Sequence, residues 1–434
     1  MLSMGNMIKS TPIKNIKFQK YRGFYEEQTL ELKPITLLFG RNSVGKSASL
    51  RLLPILSAAS RKRRGNKSVL DYSAPALRGA NFGDIISNGQ ISSAMTFSIE
   101  WPDLSYQFSI RNIDESTEIV TNFCLKNPIS CFSGEVSVAS NPKAAAPDYS
   151  SFDIAYDGEN RFDIWKLEGI RPSIAEGTEE NQTAKQLRES LDAFGESVFW
   201  LEAIRSSVPR FFELTLGSDG SISSDGSGVA QALRQSSMVG DGISEAVSAW
   251  LEKTCNCMLS SSASSSVAVF NRQVFPFNVT LKSGAQIAVK DIGEGIAQAL
   301  PVVTICHQAR LGKLGPHPIL AFEQPELHLH PTATVQLADE IISCVVSNSE
   351  ARHVIETHAE SMLLAVQIAI VEKRIKPSDA IVYWVNNDDA GTHLRPITFD
   401  DEGFPIGGWP QGVFRETLDQ SRRLSELRIE TGVN

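Results

Sequence analysis

Eight consecutive residues near the N-terminus constrain the fold of this chain more than any other feature. They are Gly40, Arg41, Asn42, Ser43, Val44, Gly45, Lys46 and Ser47, and they fit the pattern G-x-x-x-x-G-K-[ST]. The two glycines allow backbone N–H groups to wrap phosphate groups, and the N-terminus of a following helix adds a favourable dipole. We expect all eight residues to bind a nucleotide, with Lys46 at its β- and γ-phosphates and Ser47 as a ligand of Mg²⁺.

The residues on either side of this loop have the patterns that such a loop requires. Residues 13–38 alternate like two or three strands, and the last of these is an apolar run that ends at Gly40. Residues 48–59 have a helical pattern despite Pro54. Apolar spacing further along predicts antiparallel strands over 91–113 and helices over 184–203 and 242–258, whereas residues 114–174 give no readable pattern.

Beyond Val289, helical segments and apolar strand-like segments alternate. The predicted helices are 295–310, 331–346 and 360–373, and the predicted strands are 318–322, 353–355 and 380–385. Short connections between alternating helices and strands are typical of a mainly parallel sheet that is covered by helices. No heptad run is long enough for a coiled-coil arm.

The composition is that of an ordinary globular protein, with 434 residues of which 42% are hydrophobic and 21% charged. These values exclude a disordered chain, a collagen-like repeat and a disulfide scaffold. No apolar run approaches the roughly 18 residues of a membrane span, and residues 1–14 lack the apolar core of a signal peptide. We therefore expect a cytoplasmic protein that makes no membrane contact.

Charge and cysteine content limit the partners. The 41 basic and 50 acidic residues give a net charge of −9, so any DNA contact must be local. The basic segment 61–67 is either a solvated loop or a contact to phosphate or DNA. Cys255 and Cys257 are the closest pair of the six cysteines, but no second ligand pair lies nearby. This favours buried free thiols in a reducing compartment over a metal site.

A nucleoside triphosphatase also needs a second strand that ends in an acidic residue, which holds the metal ion directly or through water. Residues 318–322 supply an apolar strand, and Glu323 follows it. We therefore predict that Glu323 and Ser47 hold Mg²⁺. His328 and His330 lie close by, but an H-x-H pair without further ligands is weak evidence for a metal site.

Four ordered segments resemble the ABC-type ATPases of the RecF/SMC and OLD-like group. They are residues 40–47, 291–301, 322–331 and 356–360. The resemblance is closest to small prokaryotic AAA-family ATPases with a short uncharacterised C-terminal domain, whose closing pattern is similar to residues 408–414. Residues 204–205, 209–210 and 226–233 are also similar to the middle of that family.

The resemblance implies an α/β fold, in which a mixed sheet flanked by helices forms an ABC-type P-loop ATPase domain without a coiled-coil arm. The ATPase domain would be built from residues 1–114, which contain the phosphate loop, and residues 276–400. Residues 115–275 would form an inserted, partly helical subdomain. Residues 401–434 would form a C-terminal extension.

By this resemblance, residues 293–298 are the ABC signature. Gly293, Gly295 and Gln298 would then contact the γ-phosphate of ATP bound to a second protomer, so that two chains sandwich two nucleotides in a homo-oligomer that is at least a dimer. His358 would be the switch-region histidine that hydrogen bonds to the γ-phosphate. His328 and His330 are assigned by the same resemblance to packing and the dimer contact.

The resemblance also implies slow hydrolysis of ATP. Most ABC ATPases carry Glu where this chain has Gln324, and glutamine can orient a water molecule but cannot act as a carboxylate base. The implied catalytic residues are Glu323, Gln324, Glu326 and His358. The amide implies either slow hydrolysis, which we predict, or help from another carboxylate, such as Glu326 or Glu356, in polarising the attacking water.

The function implied for such an ATPase is that of a sensor or switch in a prokaryotic anti-phage defence system, acting with a separate effector such as a nuclease. One alternative is a RecF-like DNA-repair ATPase that clamps DNA in its ATP-bound dimer. Another is a scaffold that binds ATP without hydrolysing it.

Overall fold

The computed structural model describes residues 11–61, 68–114, 117–136, 151–156, 159–173, 182–213, 220–260, 267–269, 272–410, 422–423 and 426. The strands in this part of the chain are β1 (Asn15–Gln19), β2 (Gln28–Glu31), β3 (Ile35–Gly40), β4 (Met95–Trp101), β5 (Leu104–Asp114), β6 (Thr117–Lys126), β7 (Cys131–Val136), β8 (Ser151–Tyr156), β9 (Glu159–Glu168), β10 (Arg171–Ser173), β11 (Val198–Leu201), β12 (Phe211–Glu213), β13 (Cys257–Leu259), β14 (Val267–Val269), β15 (Arg272–Pro276), β16 (Asn278–Leu281), β17 (Gln286–Ala288), β18 (Ile319–Glu323), β19 (Arg352–Glu356), β20 (Ala380–Asp388) and β21 (Gly391–Ile397). The helices are α1 (Lys46–Ser60), α2 (Phe82–Ile85), α3 (Gln182–Ser197), α4 (Val229–Val239), α5 (Ile243–Cys255), α6 (Glu294–Arg310), α7 (Pro331–Ser347) and α8 (Glu360–Val371).

The central sheet has six strands in the order β11-β18-β19-β3-β20-β21. All neighbouring strands are parallel except β20 and β21, which form an antiparallel pair at one edge. Strands β3 and β18 are buried along their whole length, as expected for apolar strands that are covered on both faces. The prediction of an α/β fold with a mixed, mainly parallel sheet flanked by helices is confirmed.

Alternate residues of the central sheet face two different hydrophobic cores. Leu38 and Ala321 belong to the core that contains the apolar face of α1. Leu37 and Phe322 belong to the core that contains the apolar faces of α6, α7 and α8. Because parallel strands end at the same edge of a sheet, the chain segments that follow β3, β18 and β19 emerge together.

A second sheet is antiparallel and has nine strands in the order β10-β9-β8-β7-β6-β5-β4-β1-β2. Strands β6 to β10 come from residues 114–174, which gave no readable pattern in the sequence. Buried and less buried residues alternate along β6 and β7, so only one face of these strands enters the core. Small residues on that face obscure the pattern: a Cβ on Gly134 would lie 2.4 Å from the ring of Phe123.

Two predicted helices end earlier than their apolar spacing indicates. Helix α3 ends at Ser197, and the following Val-Phe-Trp-Leu segment forms β11, parallel to β18. Branched and aromatic residues of this kind suit a strand better than a helix. Helix α5 ends at Cys255 because Asn256 adopts a left-handed conformation with φ of 56°, and β13 then pairs with β16.

The division of the chain into four segments stays a prediction. Residues 115–275 contribute β6–β10 to the antiparallel sheet, β11 to the central sheet, and helices α3, α4 and α5. The basic residues 62–67, the serine-rich residues 261–266 and residues 411–414 of the closing pattern lie outside the described residues. Within the described residues, none of the helices combines the length and apolarity that a bilayer crossing requires.

Candidate nucleotide site

The predicted phosphate loop connects β3 to α1, as its sequence pattern requires. Gly40 pairs with Val385 in the central sheet, and a Cβ at this position would lie 2.3 Å from the Val385 carbonyl oxygen. Gly45 caps the N-terminus of α1 with φ of 106°, a backbone conformation that residues other than glycine rarely adopt. Both glycines are therefore required by the path of the backbone.

The ammonium group of Lys46 lies inside the loop. Its Nζ donates hydrogen bonds to the carbonyl oxygens of Gly40 at 3.0 Å and Arg41 at 2.6 Å. Burial lowers the pKa of Lys46, and the charge of Glu356 opposes this shift. The Lys46 ammonium thus gives the loop a positive charge, which a bound triphosphate requires.

The hydroxyl of Ser47 points at the end of a neighbouring strand. Its Oγ donates a hydrogen bond of 2.9 Å to Oε1 of Glu356, the last residue of β19. Glu356 is only 3% exposed, and its other oxygen, Oε2, has no hydrogen-bond partner among the described residues. Burial raises the pKa of Glu356 and the charge of Glu323 adds to the rise, whereas the bond from Ser47 lowers the pKa.

The carboxylate of Glu323, the predicted metal ligand, instead accepts hydrogen bonds from other side chains of the protein. Arg51 forms a bidentate ion pair with its carboxylate, at 2.6 Å from Nε to Oε1 and 2.5 Å from Nη2 to Oε2. The indole N–H of Trp200 donates to Oε1 at 3.0 Å, and Arg78 lies 3.8 Å from Oε2. The residue is 1% exposed and lies beside Glu356 in the parallel register of β18 and β19.

A buried arginine, Arg205, connects several parts of the site. Its guanidinium donates to the backbone carbonyl oxygens of Gln298 at 2.8 Å, Glu323 at 3.1 Å and Gln324 at 2.9 Å. Burial lowers the pKa of Arg205 to about 10, and the charges of Glu326 and Glu323 oppose this shift. Arg205 therefore remains protonated at neutral pH and ties the first turns of α6 to the end of β18.

The other three predicted catalytic residues lie around the ends of β18 and β19. The backbone N–H of Gln324 donates to the Glu356 carbonyl oxygen at 2.8 Å. Oε1 of Glu326 accepts from the Thr357 hydroxyl at 2.7 Å and from the His358 backbone N–H at 2.9 Å. Glu326 thus holds the turn that carries His358 through Oε1, while its Oε2 is buried with no hydrogen-bond partner among the described residues.

The side chain of His358 is exposed and interacts electrostatically with Lys46 of the phosphate loop. Partial burial lowers the pKa of its imidazole, and the positive charge of Lys46 lowers it further. A neutral ring at physiological pH can donate a single hydrogen bond to a phosphate oxygen. The contact of His358 with the γ-phosphate stays a prediction.

The predicted signature residues differ in exposure. Gly293, Gly295 and Ile296 line a cavity of ≈ 590 Å³ together with Thr254, Cys255, His328 and Thr332. Gly295 is buried, and a Cβ there would lie 2.3 Å from the His328 carbonyl oxygen, so this glycine is required for packing. Gln298 is buried too, and it donates from Nε2 to Glu294 at 3.1 Å. Only the first turn of α6 therefore faces the cavity.

The H-x-H pair has different local roles. His330 caps α7, because its Nδ1 accepts a hydrogen bond of 3.3 Å from the backbone N–H of Thr332. His328 is exposed and adopts φ of 66°. Both residues lie at the mouth of the cavity that also contains Gly293.

Sequence reasoning missed the partners of Glu323. Arg51 lies one helical turn after Ser47, so an i, i+4 relation on α1 places both side chains towards the ends of β18 and β19. That spacing is visible in the sequence. Trp200 could not be found in this way, because it lies on β11, which the sequence indicated as part of a helix.

Residues 165–363 match a family model described as an AAA ATPase domain. The matched segment contains the signature region, Glu323, Glu356 and His358, whereas the phosphate loop precedes it. The match supports ATPase activity, and the phosphate loop that precedes it supports an ATPase of the P-loop kind.

Solved structures of Smc heads are similar to the chain at low identity. An Smc head bound to the C-winged helix domain of ScpA has 12% identity and a TM-score of 0.44, covering 89% of this chain and 98% of that chain. A Pyrococcus furiosus Smc head with an extended coiled coil, bound to the C-terminal domain of ScpA, has 10% identity and a TM-score of 0.43, with coverages of 96% and 99%. The SMC head domain from Thermotoga maritima has 8% identity and a TM-score of 0.37, with coverages of 89% and 98%. No curated protein matches the chain.

Proposed function

We propose that this chain binds ATP with Mg²⁺ at residues 40–47, hydrolyses it slowly, and pairs with a second copy through the bound nucleotide. The observation that carries the proposal is the contact between Ser47 and Glu356 beside the buried ammonium of Lys46. A hydroxyl and a carboxylate next to a phosphate loop are the oxygen donors that Mg²⁺ prefers.

The donor set fits a divalent ion at Ser47 and Glu356 better than at Ser47 and Glu323. Oε2 of Glu356 is buried without a hydrogen-bond partner among the described residues, which is a costly arrangement unless a ligand completes it. Both oxygens of Glu323 already accept hydrogen bonds, and Arg51 compensates its charge. When bound, Mg²⁺ would neutralise charge on the phosphates. Ser47 and Glu356 would hold it there.

Slow hydrolysis follows from the residues that surround the predicted water position. Gln324 supplies an amide where a carboxylate base is usual, and one of the two oxygens of Glu326 is engaged by Thr357 and His358. An ATP-bound state would then persist, which suits a switch. We expect Gln324→Glu to raise the turnover number, and no increase would contradict this explanation of slow hydrolysis.

The proposed pairing uses the N-terminus of α6. No atom of the described residues lies within 4 Å of a Cβ added at Gly293, so this end of the helix is open in the part of the chain that the structure describes. Free backbone N–H groups and the helix dipole suit an anion such as a terminal phosphate. The cavity beside Gly293 provides room for it.

The experiment measures sedimentation of the full chain with and without ATP and Mg²⁺, together with the affinity for a fluorescent ATP analogue. Lys46→Ala should abolish both binding and pairing. Thr332→Glu adds a negative charge to the cavity at the start of α7, where an acidic residue is favourable for the helix. It should prevent pairing while the affinity of the separate chain for the analogue is retained.

Thr332→Gln is the matched control, because it has the same size without the charge, and it should pair like the unmodified chain. Pairing that is independent of ATP, or that survives Thr332→Glu, would refute the shared nucleotide site.

The biological role that we propose, on the resemblance to small prokaryotic ATPases, is a sensor or switch in anti-phage defence that acts with a separate effector. The test compares phage plating on cells that carry the native locus with the unmodified chain or with Lys46→Ala. Protection that is lost with Lys46→Ala supports the role. Equal plating on cells with and without the locus, across a broad phage panel, would contradict it.

A further inference from the structure

Three side chains with metal-binding atoms meet between α6 and α7, away from the residues assigned above to the nucleotide. They are His307 of α6 and Glu340 and Cys344 of α7. One ligand atom from each lies within 4.8 Å of the others. Glu340 and Cys344 are four residues apart, so they project from the same face of α7.

The imidazole of His307 is the most informative member of this cluster. The residue is 2% exposed, and its Nε2 has no hydrogen-bond partner among the described residues. Oε1 of Glu340 nevertheless lies only 3.2 Å from Nε2, so the two atoms are close without the geometry of a hydrogen bond. A buried polar nitrogen in this position is costly unless a further group satisfies it.

The distance between these atoms matches a metal site. In tetrahedral zinc sites, bond lengths of about 2.0–2.3 Å place neighbouring ligand atoms about 3.3–3.8 Å apart. The separation of 3.2 Å between Nε2 and Oε1 is close to this range, and the 4.8 Å limit for the full set requires only small side-chain movements.

The surroundings also suit a bound ion. Cys344 is 1% exposed, and the thiol of Cys306 forms a hydrogen bond with it. The side chain of Glu340 is 20% exposed, so the cluster is reached from solvent on one side, where a water molecule can supply a fourth ligand. Mixed nitrogen, oxygen and sulfur ligands favour Zn²⁺ over Mg²⁺ or Ca²⁺.

We propose that His307, Glu340 and Cys344 form a Zn²⁺ site that fastens α6 to α7. Helix α6 begins at the glycine turn of residue 293, and α7 begins directly after His330, so both helices start at the cavity described above. Zinc at this position fixes the relative placement of the two helices that border this cavity. The site does not depend on nucleotide binding.

The test uses the full chain without an affinity tag, treated with a chelator and then titrated with Zn²⁺ in excess Mg²⁺. We expect one Zn²⁺ per chain by calorimetry and by elemental analysis after gel filtration. Titration with Co²⁺ should produce the charge-transfer absorption of a thiolate-bound metal. His307→Ala should weaken Zn²⁺ binding by at least about 10-fold, and Cys344→Ala should remove the Co²⁺ thiolate band.

Cys306→Ala is the matched control, since it removes the neighbouring buried thiol and leaves the three ligands in place, and it should keep the band. Glu340→Gln provides a variant at the partly exposed position if the buried substitutions fail to fold by circular dichroism, and it should weaken Zn²⁺ binding by a similar factor. The proposal is overturned if the chain binds no Zn²⁺, if the band survives in Cys344→Ala, or if Glu340→Gln binds Zn²⁺ as tightly as the unmodified chain.

Discussion

Glu323 and Glu356 end two adjacent parallel strands in the same register, yet their carboxylates have different environments. Both oxygens of Glu323 are satisfied by Arg51 and Trp200. Glu356 receives one hydrogen bond, from Ser47, and keeps its second oxygen unpartnered among the described residues. This comparison shows that an acidic residue after an apolar strand indicates where the parallel strands end. The surrounding side chains decide which of the carboxylates there is available to a ligand.

The largest expected effect comes from removing the charge of each carboxylate in turn. Glu356→Gln should lower Mg²⁺-dependent ATP hydrolysis by more than about 100-fold, because it removes the carboxylate that we propose to hold the ion. Glu323→Gln should raise the Mg²⁺ concentration required for ATP hydrolysis by less than Glu356→Gln does. The measurement is a titration of ATPase rate with Mg²⁺ for both variants. A larger increase in the Mg²⁺ requirement for Glu323→Gln would reverse the comparison.

The free energy of unfolding should depend more strongly on the contacts of Glu323 than on those of Glu356. Arg51→Met leaves the buried charge of Glu323 without its main partner, and breaking a buried ion pair in this way costs about 3–5 kcal/mol. The free energy of unfolding, measured with urea, should fall by that amount. The double variant Arg51→Met/Glu323→Gln is the control and should recover much of the loss. No recovery would show that Arg51 acts through packing alone.

The pH dependence of stability distinguishes the two carboxylates further. Because burial raises the pKa of Glu356, folding without metal favours its protonated form, and the associated stability is lost as pH rises through the raised pKa. Metal-free Glu356→Gln should therefore be more stable than the unmodified chain at pH 8 and similar to it well below pH 4.5. Thermal unfolding in the presence of a chelator measures this difference, and equal midpoints at pH 8 would be inconsistent with a destabilising buried charge.

The smallest effect is expected at Glu326, which contacts the turn that follows Glu356. Glu326→Gln keeps an acceptor oxygen but loses the charge, so the bonds from Thr357 and His358 should weaken by about 1 kcal/mol in total. Faster amide hydrogen exchange at His358, with unchanged exchange in β3, would report this local change. Unchanged amide exchange at His358 would show that Glu326 does not position this turn.

The sequence predicted the phosphate loop and the central sheet because both have strong local signals. Two glycines, a lysine and a serine follow an apolar strand, and the later strands are short apolar runs between helices. The antiparallel strands β6 and β7 lack such a signal, since only one face enters the core and a small residue, Gly134, lies on that face. The pairing of Arg51 with Glu323 depends on contacts between residues 272 positions apart, which local patterns do not contain.

The most direct test of the central claim is a crystal structure of the chain with Mg²⁺ and a non-hydrolysable ATP analogue. We expect Ser47 and Glu356 to hold the ion, directly or through water, while Arg51 keeps its bidentate contact with Glu323. An ion held by Glu323, with Arg51 displaced and Glu356 turned away from it, would contradict the account.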